Sequence, residues 1–256
     1  MSENSPVLLA VGATGTIGRH VVAVALAHGY RVRALVRDRN RAGDFPADTE
    51  IVVGDLTKAE TLSSAVAGVE AVVFTHGTYS NPAAAAVVDY GAVRNVLTAL
   101  GDQKPRIALM TTLGSTDRKG SHDWKRRGER IVRVSGLPYT IVRPAWFDHN
   151  KPDELQLLLL QGDKPLVGSP ADGVIARRQI AEVLVRSLRS EAALRKTFEL
   201  HAVRGPEQPD YDTVFGPLDA DRPGDLDGAH DKGNMPFEDE PPQIRNELEA
   251  VRSKAA

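Results

Sequence analysis

Gly12, Gly15 and Gly18 recur at every third position, directly after the apolar run Val7–Val11 and directly before an apolar helical pattern from Ile17 to Leu26. The chemistry this spacing supports is phosphate binding. The first glycine permits a backbone conformation that other residues avoid. The others let the backbone approach a pyrophosphate and let the helix pack tightly on its strand. The helix start then offers free N–H groups and a partial positive charge. With a strand before it and a helix after it, the run Gly12-Ala13-Thr14-Gly15-Thr16-Ile17-Gly18 reads as a dinucleotide-binding turn, with Thr14, Thr16 and Ile17 inside the cradle. The alternative is a purely structural turn in some other α/β protein.

Such a turn needs a parallel sheet behind it. The sequence predicts strands at 7–11, 31–36, 50–53, 71–74, 106–110 and 139–142. Helical patterns lie between them, at 17–28, 59–66, 83–100 and 124–135. Gly29 and Gly136 follow two of these helices, and Asn81-Pro82 precedes a third, as helix ends and starts require. The alternation argues for an α/β fold, a Rossmann-type doubly wound parallel sheet with a small irregular C-terminal region. Beyond Pro144, Leu155–Leu160 is a buried strand or short helix, Arg177–Arg189 an amphipathic helix and Thr197–His201 a late strand. From Gly205 the chain is rich in Pro, Gly and Asp, and predicts irregular structure wrapped on the body or partial disorder, with a terminal helix near Ile244–Val251. The expected division is therefore 1–204, with substrate-facing elements from about residue 145, and 205–256.

Bulk properties narrow the function. A chain of 256 residues, 41% hydrophobic, can bury one sizeable α/β core. The formal charge of -2 gives no reason to expect nucleic acid or an anionic membrane as partner. Absence of cysteine excludes disulfides, thiolate catalysis and cysteine metal sites, and the seven histidines have no paired ligand spacing, so no metal is expected. There is no apolar run of membrane-spanning length and no secretory signal at Met1–Pro6, so the expected location is cytoplasmic.

Taken with Val36-Arg37-Asp38, Gly54-Asp55-Leu56, Lys125 with Glu129, and Ser135-Gly136-Leu137-Pro138-Tyr139-Thr140-Ile141-Val142-Arg143-Pro144, the glycine turn resembles the short-chain dehydrogenase/reductase superfamily, in its atypical NmrA-like and related NAD(P)H-binding branch. The resemblance covers about residues 6–200; its first and last motifs are specific together. It implies that the cofactor is a nicotinamide dinucleotide. Arg37 then stands beside the adenosine ribose, where a guanidinium fork matches a 2′-phosphate, so NADP(H) is preferred, with Arg33 and Arg39 in support. Asp38 keeps NAD(H) open, and Arg37 as an ordinary solvated arginine is the alternative. Asp55 and Leu56 would meet the adenine, although Asp55 also suits a helix cap. Thr75, His76 and Gly77 would line the nicotinamide ribose, and the backbone at Arg143-Pro144 would lie against the nicotinamide.

Ordinary members of that superfamily use Tyr-x-x-x-Lys, the lysine binding ribose and the tyrosine protonating the carbonyl as hydride arrives. Lys125 aligns with the lysine, but Ser121 stands where the tyrosine should be, and Tyr79, Tyr90 and Tyr139 are not in the required relation to a lysine. Three explanations compete: a substrate needing no strong protein acid, another donor among His122, Asp123 and His76, or cofactor binding without chemistry. Thr112 or Ser115, after the fifth strand, would hold a substrate oxygen, or else merely satisfy their own turn. Trp146 and Phe147 would wall a pocket for an aromatic or conjugated substrate, or else pack the C-terminal segment; Ala145 stands where glycine is usual. Arg177 or Arg178 would face an anionic group or solvent, and Lys125-Arg126-Arg127 has the alternative of a solvated basic face.

The expectation is an NADPH-dependent reductase acting on a small carbonyl, quinone or flavin, with a non-catalytic NADP(H)-binding sensor or scaffold as its rival. A nucleotide-sugar epimerase or dehydratase is disfavoured by the missing tyrosine. Partners are a small molecule and, at most, a second copy: a monomer or a homodimer, the long fourth helix being suited to pairing.

Overall fold

A computed structural model describes residues 5–43, 45–78 and 81–255. In chain order the elements are β1 (Val7–Val11), α1 (Thr16–Ala27), β2 (Arg31–Val36), β3 (Glu50–Val53), α2 (Ser63–Val66), β4 (Ala71–Phe74), α3 (Pro82–Ala85) and α4 (Ala92–Leu100). There follow β5 (Arg106–Met110), α5 (Gly120–Val134), β6 (Tyr139–Pro144), β7 (Trp146–Phe147), β8 (Gln156–Leu160) and β9 (Val174–Ile175). The chain closes with α6 (Arg177–Ser187), β10 (Lys196–Val203), α7 (Asp212–Phe215) and α8 (Pro242–Ala255).

The sheet runs β3-β2-β1-β4-β5-β6-β10-β9-β7, with β8 antiparallel on β10. From β3 to β10 every pair is parallel. Strand order reverses at β1, so the carboxyl ends of β1 and β4 open a crevice where a dinucleotide binds such sheets. Aliphatic cores fill both faces. One joins α1 and α6 through Val21, Val22, Ile180 and Leu184, the other joins α4 and α5 through Val93, Val96, Ile131 and Val132.

Several elements depart from the periodicity. The predicted helix at 59–66 is a 3-10 turn, Ala59–Thr61, followed by α2. The long helix at 83–100 starts at Pro82, capped by Asn81, and widens to a π-helical stretch at Ala86–Gly91. The helix predicted at 124–135 begins at Gly120, which puts Ser121 and His122 in its first turn. Leu155–Leu160 is a strand at the sheet edge, because β10 offers it an unpaired side.

The largest correction concerns the tail and the basic face. Residues after Gly205 wrap the body as an ordered strap that ends in α8. Arg126, Arg127, Arg130 and Arg133 on α5 are buried under it, not solvated. Asp227 pairs with Arg126 at 2.9 Å and Arg130 at 2.7 Å; Glu240 pairs with Arg127 at 2.7 Å and Arg130 at 2.8 Å. Asp221 pairs with Arg133 at 3.2 Å. Charged residues are buried only when partnered, and here the acid-rich segment supplies the partners. On α8, Ile244 and Leu248 are buried while Glu247 pairs with Arg94 at 2.7 Å and accepts from Tyr90. The chain's own tail thus covers part of the long helix that was expected to suit pairing.

Candidate active site

The glycine turn follows from sterics. Gly12 has φ +86°, and a Cβ there would lie 2.6 Å from the His76 nitrogen. A Cβ on Gly18 would lie 2.1 Å from the Gly12 carbonyl oxygen. Gly15 caps α1 and donates to the Gly12 carbonyl at 2.9 Å. Ile17 sinks its side chain into the core, so only its backbone faces the turn, whereas Thr16 is exposed.

Beside the turn, Gly12, Thr14, Val36, Arg37, Asp55 and Leu56 line a crevice of about 220 Å³. Val87 and Val88 of the π-helical stretch close its other side. Arg37 is exposed at the end of β2 and has no hydrogen-bond or ion-pair partner among the described residues. Its expected helpers are engaged elsewhere. Arg33 donates to the Ala65 and Ala67 carbonyls at 2.9 and 2.8 Å and pairs with Glu50 at 3.0 Å. Arg39 reaches the Ile51 carbonyl at 3.3 Å. Asp38 caps the following 3-10 turn, accepting from the Asn40 N–H. Asp55 accepts from the Thr57 N–H and hydroxyl at 2.9 and 2.8 Å, bonds that hold its carboxyl below the usual range. Asp55 thus closes an Asx-turn on Thr57 and does not cap the turn at Ala59, whose N-cap is Lys58, while it still lines the crevice.

Across the turn, Thr75 donates its hydroxyl to the Val11 carbonyl at 3.2 Å. The His76 ring packs edge-on against Phe74, and its Nδ1 is buried without a partner among the described residues. Burial, with Lys125 nearby, pushes the His76 imidazole down to about 4. Burial thus favours the neutral imidazole at His76. Lys125 bonds Asp89 through Nζ at 2.5 Å, and a Cβ on Gly77 would sit 3.2 Å from both groups. Sequence reasoning passed over Asp89. Its signal was available: it is the one charged residue between Pro82 and Val93 in an otherwise apolar helix. Burial raises its pKa while Lys125 opposes the shift, and its Oδ2 has no partner among the described residues.

Pro144, at the end of β6, opens a second pocket of about 390 Å³. Thr112, His122, Trp146, Phe147 and Leu166 line it. The His122 Nδ1 meets the Gly114 carbonyl at 2.7 Å, which leaves Nε2 as its other ring nitrogen. His122 and Lys125 stand three residues apart on α5 and so share a helix face. Ser115 is brought beneath this pocket, not into it: it is buried and donates to the Thr112 carbonyl at 2.8 Å. Asp123 pairs with Arg118 at 3.1 Å, Tyr90 is hydrogen-bonded to Glu247 and Tyr139 to Asp221, so these groups are engaged away from the pocket. Tyr79 lies outside the described residues.

A buried polar cluster holds the pocket floor. Asp163 accepts from the Gly114 and Thr116 N–H groups, both at 2.8 Å. Fully buried Arg143 bonds Glu129 at 2.6 Å and Asp231 of the tail at 2.7 Å, with Asp163 and Glu199 at 3.4 Å. Burial opposes the charge on Glu129, but Arg143 and Arg133 outweigh it and hold Glu129 well below the usual range. Burial dominates at Glu199 and pushes it up to about 8. Arg143 was expected to contribute its backbone; its side chain is the hub of this cluster.

The NAD(P)H-binding family matches residues 12–191. Sanguinarine reductase of Eschscholzia californica is 26% identical over 217 residues, covering 67% of this chain and 79% of that protein. The photosystem II assembly factor Ycf39 of Trieres chinensis is 27% identical over 213 residues, covering 77% and 64%. The chain spans only a third to two thirds of the length of the first curated relatives it matches. Among solved structures, a putative NAD-dependent epimerase/dehydratase from Bacillus halodurans superposes with TM-score 0.68 at 22% identity, covering 79% of this chain and 96% of that one. The chain belongs to the NAD(P)H-binding family.

Proposed function

We propose that this protein is an NADPH-dependent reductase that delivers hydride to a small aromatic or conjugated acceptor: a carbonyl, a quinone or a flavin. The observation that carries the reading is the pocket beyond Pro144, where a flat apolar wall of Trp146 and Phe147 faces the hydroxyl-bearing Thr112 and the imidazole of His122. The residues fit a dinucleotide. Gly12 and Gly18 let the turn fold so tightly that any Cβ would strike backbone atoms, and His76 Nδ1 and Asp89 Oδ2 are buried polar atoms without partners among the described residues near Gly77. When bound, the nicotinamide supplies the hydride.

The chain does the rest. Gly12, Thr14, Gly15, Thr16, Ile17 and Gly18 seat the phosphates, and Arg37 meets the 2′-phosphate. Asp55 and Leu56 border the adenine, Thr75, His76 and Gly77 border the ribose with Lys125, and Pro144 borders the nicotinamide. Thr112 positions the acceptor oxygen, and His122, as an imidazolium whose Nδ1–H is held by the Gly114 carbonyl, gives from Nε2 the proton that the missing tyrosine would have given. Ser115 supports Thr112 from below. A delocalised acceptor lowers the demand on that proton donor, which is why Ser121 is tolerated.

Absorbance of reduced nicotinamide, followed with quinones, flavins and aromatic ketones, tests the reading, with binding measured calorimetrically alongside. Turnover with one class supports it. Tight binding without turnover across all three favours a cofactor-sensing scaffold, a reading that Ser121 at the acid position also supports.

A further inference from the structure

Arg177 opens α6 and touches three regions that are remote in sequence. Its Nε donates to Thr16 Oγ1 at 3.0 Å, in the first turn of α1. Its guanidinium lies over the Phe147 ring, 5.2 Å from the centroid, on the pocket wall. Its Nη1 pairs with Asp148, whose other oxygen accepts from the Arg177 backbone N–H at 2.9 Å. The placement is set by the core, because α6 packs on α1 through buried Ile180, Ala181, Val183 and Leu184.

A guanidinium hydrogen-bonded to Thr16 stands one side chain from the phosphate cradle. A pyrophosphate offers it two charges and oxygens spaced for a planar fork, where Asp148 offers a single carboxylate in a half-exposed setting. We propose that Arg177 is a pyrophosphate clamp. It exchanges Asp148 for the phosphate oxygens of the bound dinucleotide while its flat face stays on Phe147, so that cofactor binding also fixes the substrate wall. This rests on the dinucleotide reading above.

Calorimetry with NADPH, NADH and 2′-AMP, which carries a 2′-phosphate but no pyrophosphate, tests the clamp on the wild type, Arg177→Ala and Asp148→Asn. Arg177→Ala is expected to weaken NADPH and NADH by a common factor, about tenfold to a hundredfold for a charge-assisted bond, and to leave 2′-AMP unchanged. Asp148→Asn frees the guanidinium and is expected to tighten both dinucleotides severalfold, a gain that misfolding does not mimic. Near-wild-type affinity of Arg177→Ala for both dinucleotides overturns the clamp and leaves the dinucleotide reading standing. Loss confined to NADPH overturns it in favour of a 2′-phosphate contact. Loss of 2′-AMP as well, without tightening in Asp148→Asn, overturns it as general damage. A wild type that binds neither dinucleotide overturns both readings.

Discussion

Where α1 lies on β1 and β2, the contacts are aliphatic and the turn is made by glycines; where α5 lies on β6, the contacts to the tail are arginines and carboxylates. The first region buries few charges and leaves Arg37 without a partner among the described residues beside an open crevice. The second buries Arg126, Arg130, Arg133 and Arg143 almost completely and satisfies them with five tail and loop acids: Asp163, Asp221, Asp227, Asp231 and Glu240. Apolar packing tolerates any well-shaped partner, whereas a buried ion carries a desolvation cost that only a partner of opposite sign in the right place offsets. The cofactor half is thus built to receive a ligand. The charged half is built to accept one arrangement of its own tail, and that arrangement reaches the turn beside the Pro144 pocket, where tail Asn234 donates to the Thr116 carbonyl and Asp163 accepts from the Thr116 N–H.

The sharpest way to break this contrast is Arg143→Met. It leaves Glu129, Asp163, Glu199 and Asp231 facing one another, and should cost about 3–5 kcal/mol in urea denaturation. A loss below about 1 kcal/mol would mean that the hub contributes no more than a surface pair. In the cofactor half, Arg37→Ala should weaken NADPH by about 1.5–3 kcal/mol while sparing NADH and the melting temperature; equal losses for the two cofactors would count against a phosphate contact. His122→Gln should lower kcat with little change in NADPH affinity, and an unchanged kcat would return the imidazole to its structural bond with Gly114.

Acidity separates two carboxylates within the charged half, Glu129 and Glu199, both on Arg143. Glu129 is held low in the fold, so its contribution is present above the unfolded carboxylate range and is lost as pH falls through its depressed value. Glu199 has the opposite sign: raised to about 8, its contribution is complete below the unfolded range and is lost as pH rises toward 8. Glu199→Gln should therefore flatten the decline in stability as pH rises from the unfolded carboxylate range toward 8; an unaltered slope in urea melts across that window would place the decline elsewhere. The smallest expected effect is Tyr90→Phe, which removes one hydrogen bond from α8 and should cost about 1 kcal/mol. A larger loss would show that α8 carries more of the fold than its two buried aliphatics imply.

The strands of the sheet were legible from β1 to β5 residue for residue, because apolar runs between turn signals report burial directly. The glycine turn was equally legible, since its spacing is a backbone requirement that no distant residue alters. Legibility failed where charge was involved. Lys125-Arg126-Arg127 read equally well as a solvated face, because a local window cannot see acids about a hundred residues away. Asp89 was passed over because only the fold, at the π-helical stretch, brings it onto Lys125. The burial of His76, which lowers its pKa, had no local signal, and Arg33 looked available until its guanidinium met the carbonyls at the end of α2.

The sequence by itself determined the α/β order, the phosphate turn and the absence of tyrosine four residues before Lys125, all of which depend on local pattern and residue identity. Only the tertiary structure decided that the acidic tail is a strap, that His122 and Thr112 share a pocket with Trp146, and that Arg177 reaches Thr16. Those are distances between residues remote in the chain, and buried charges have no preferred partner until the fold brings one within a few ångströms.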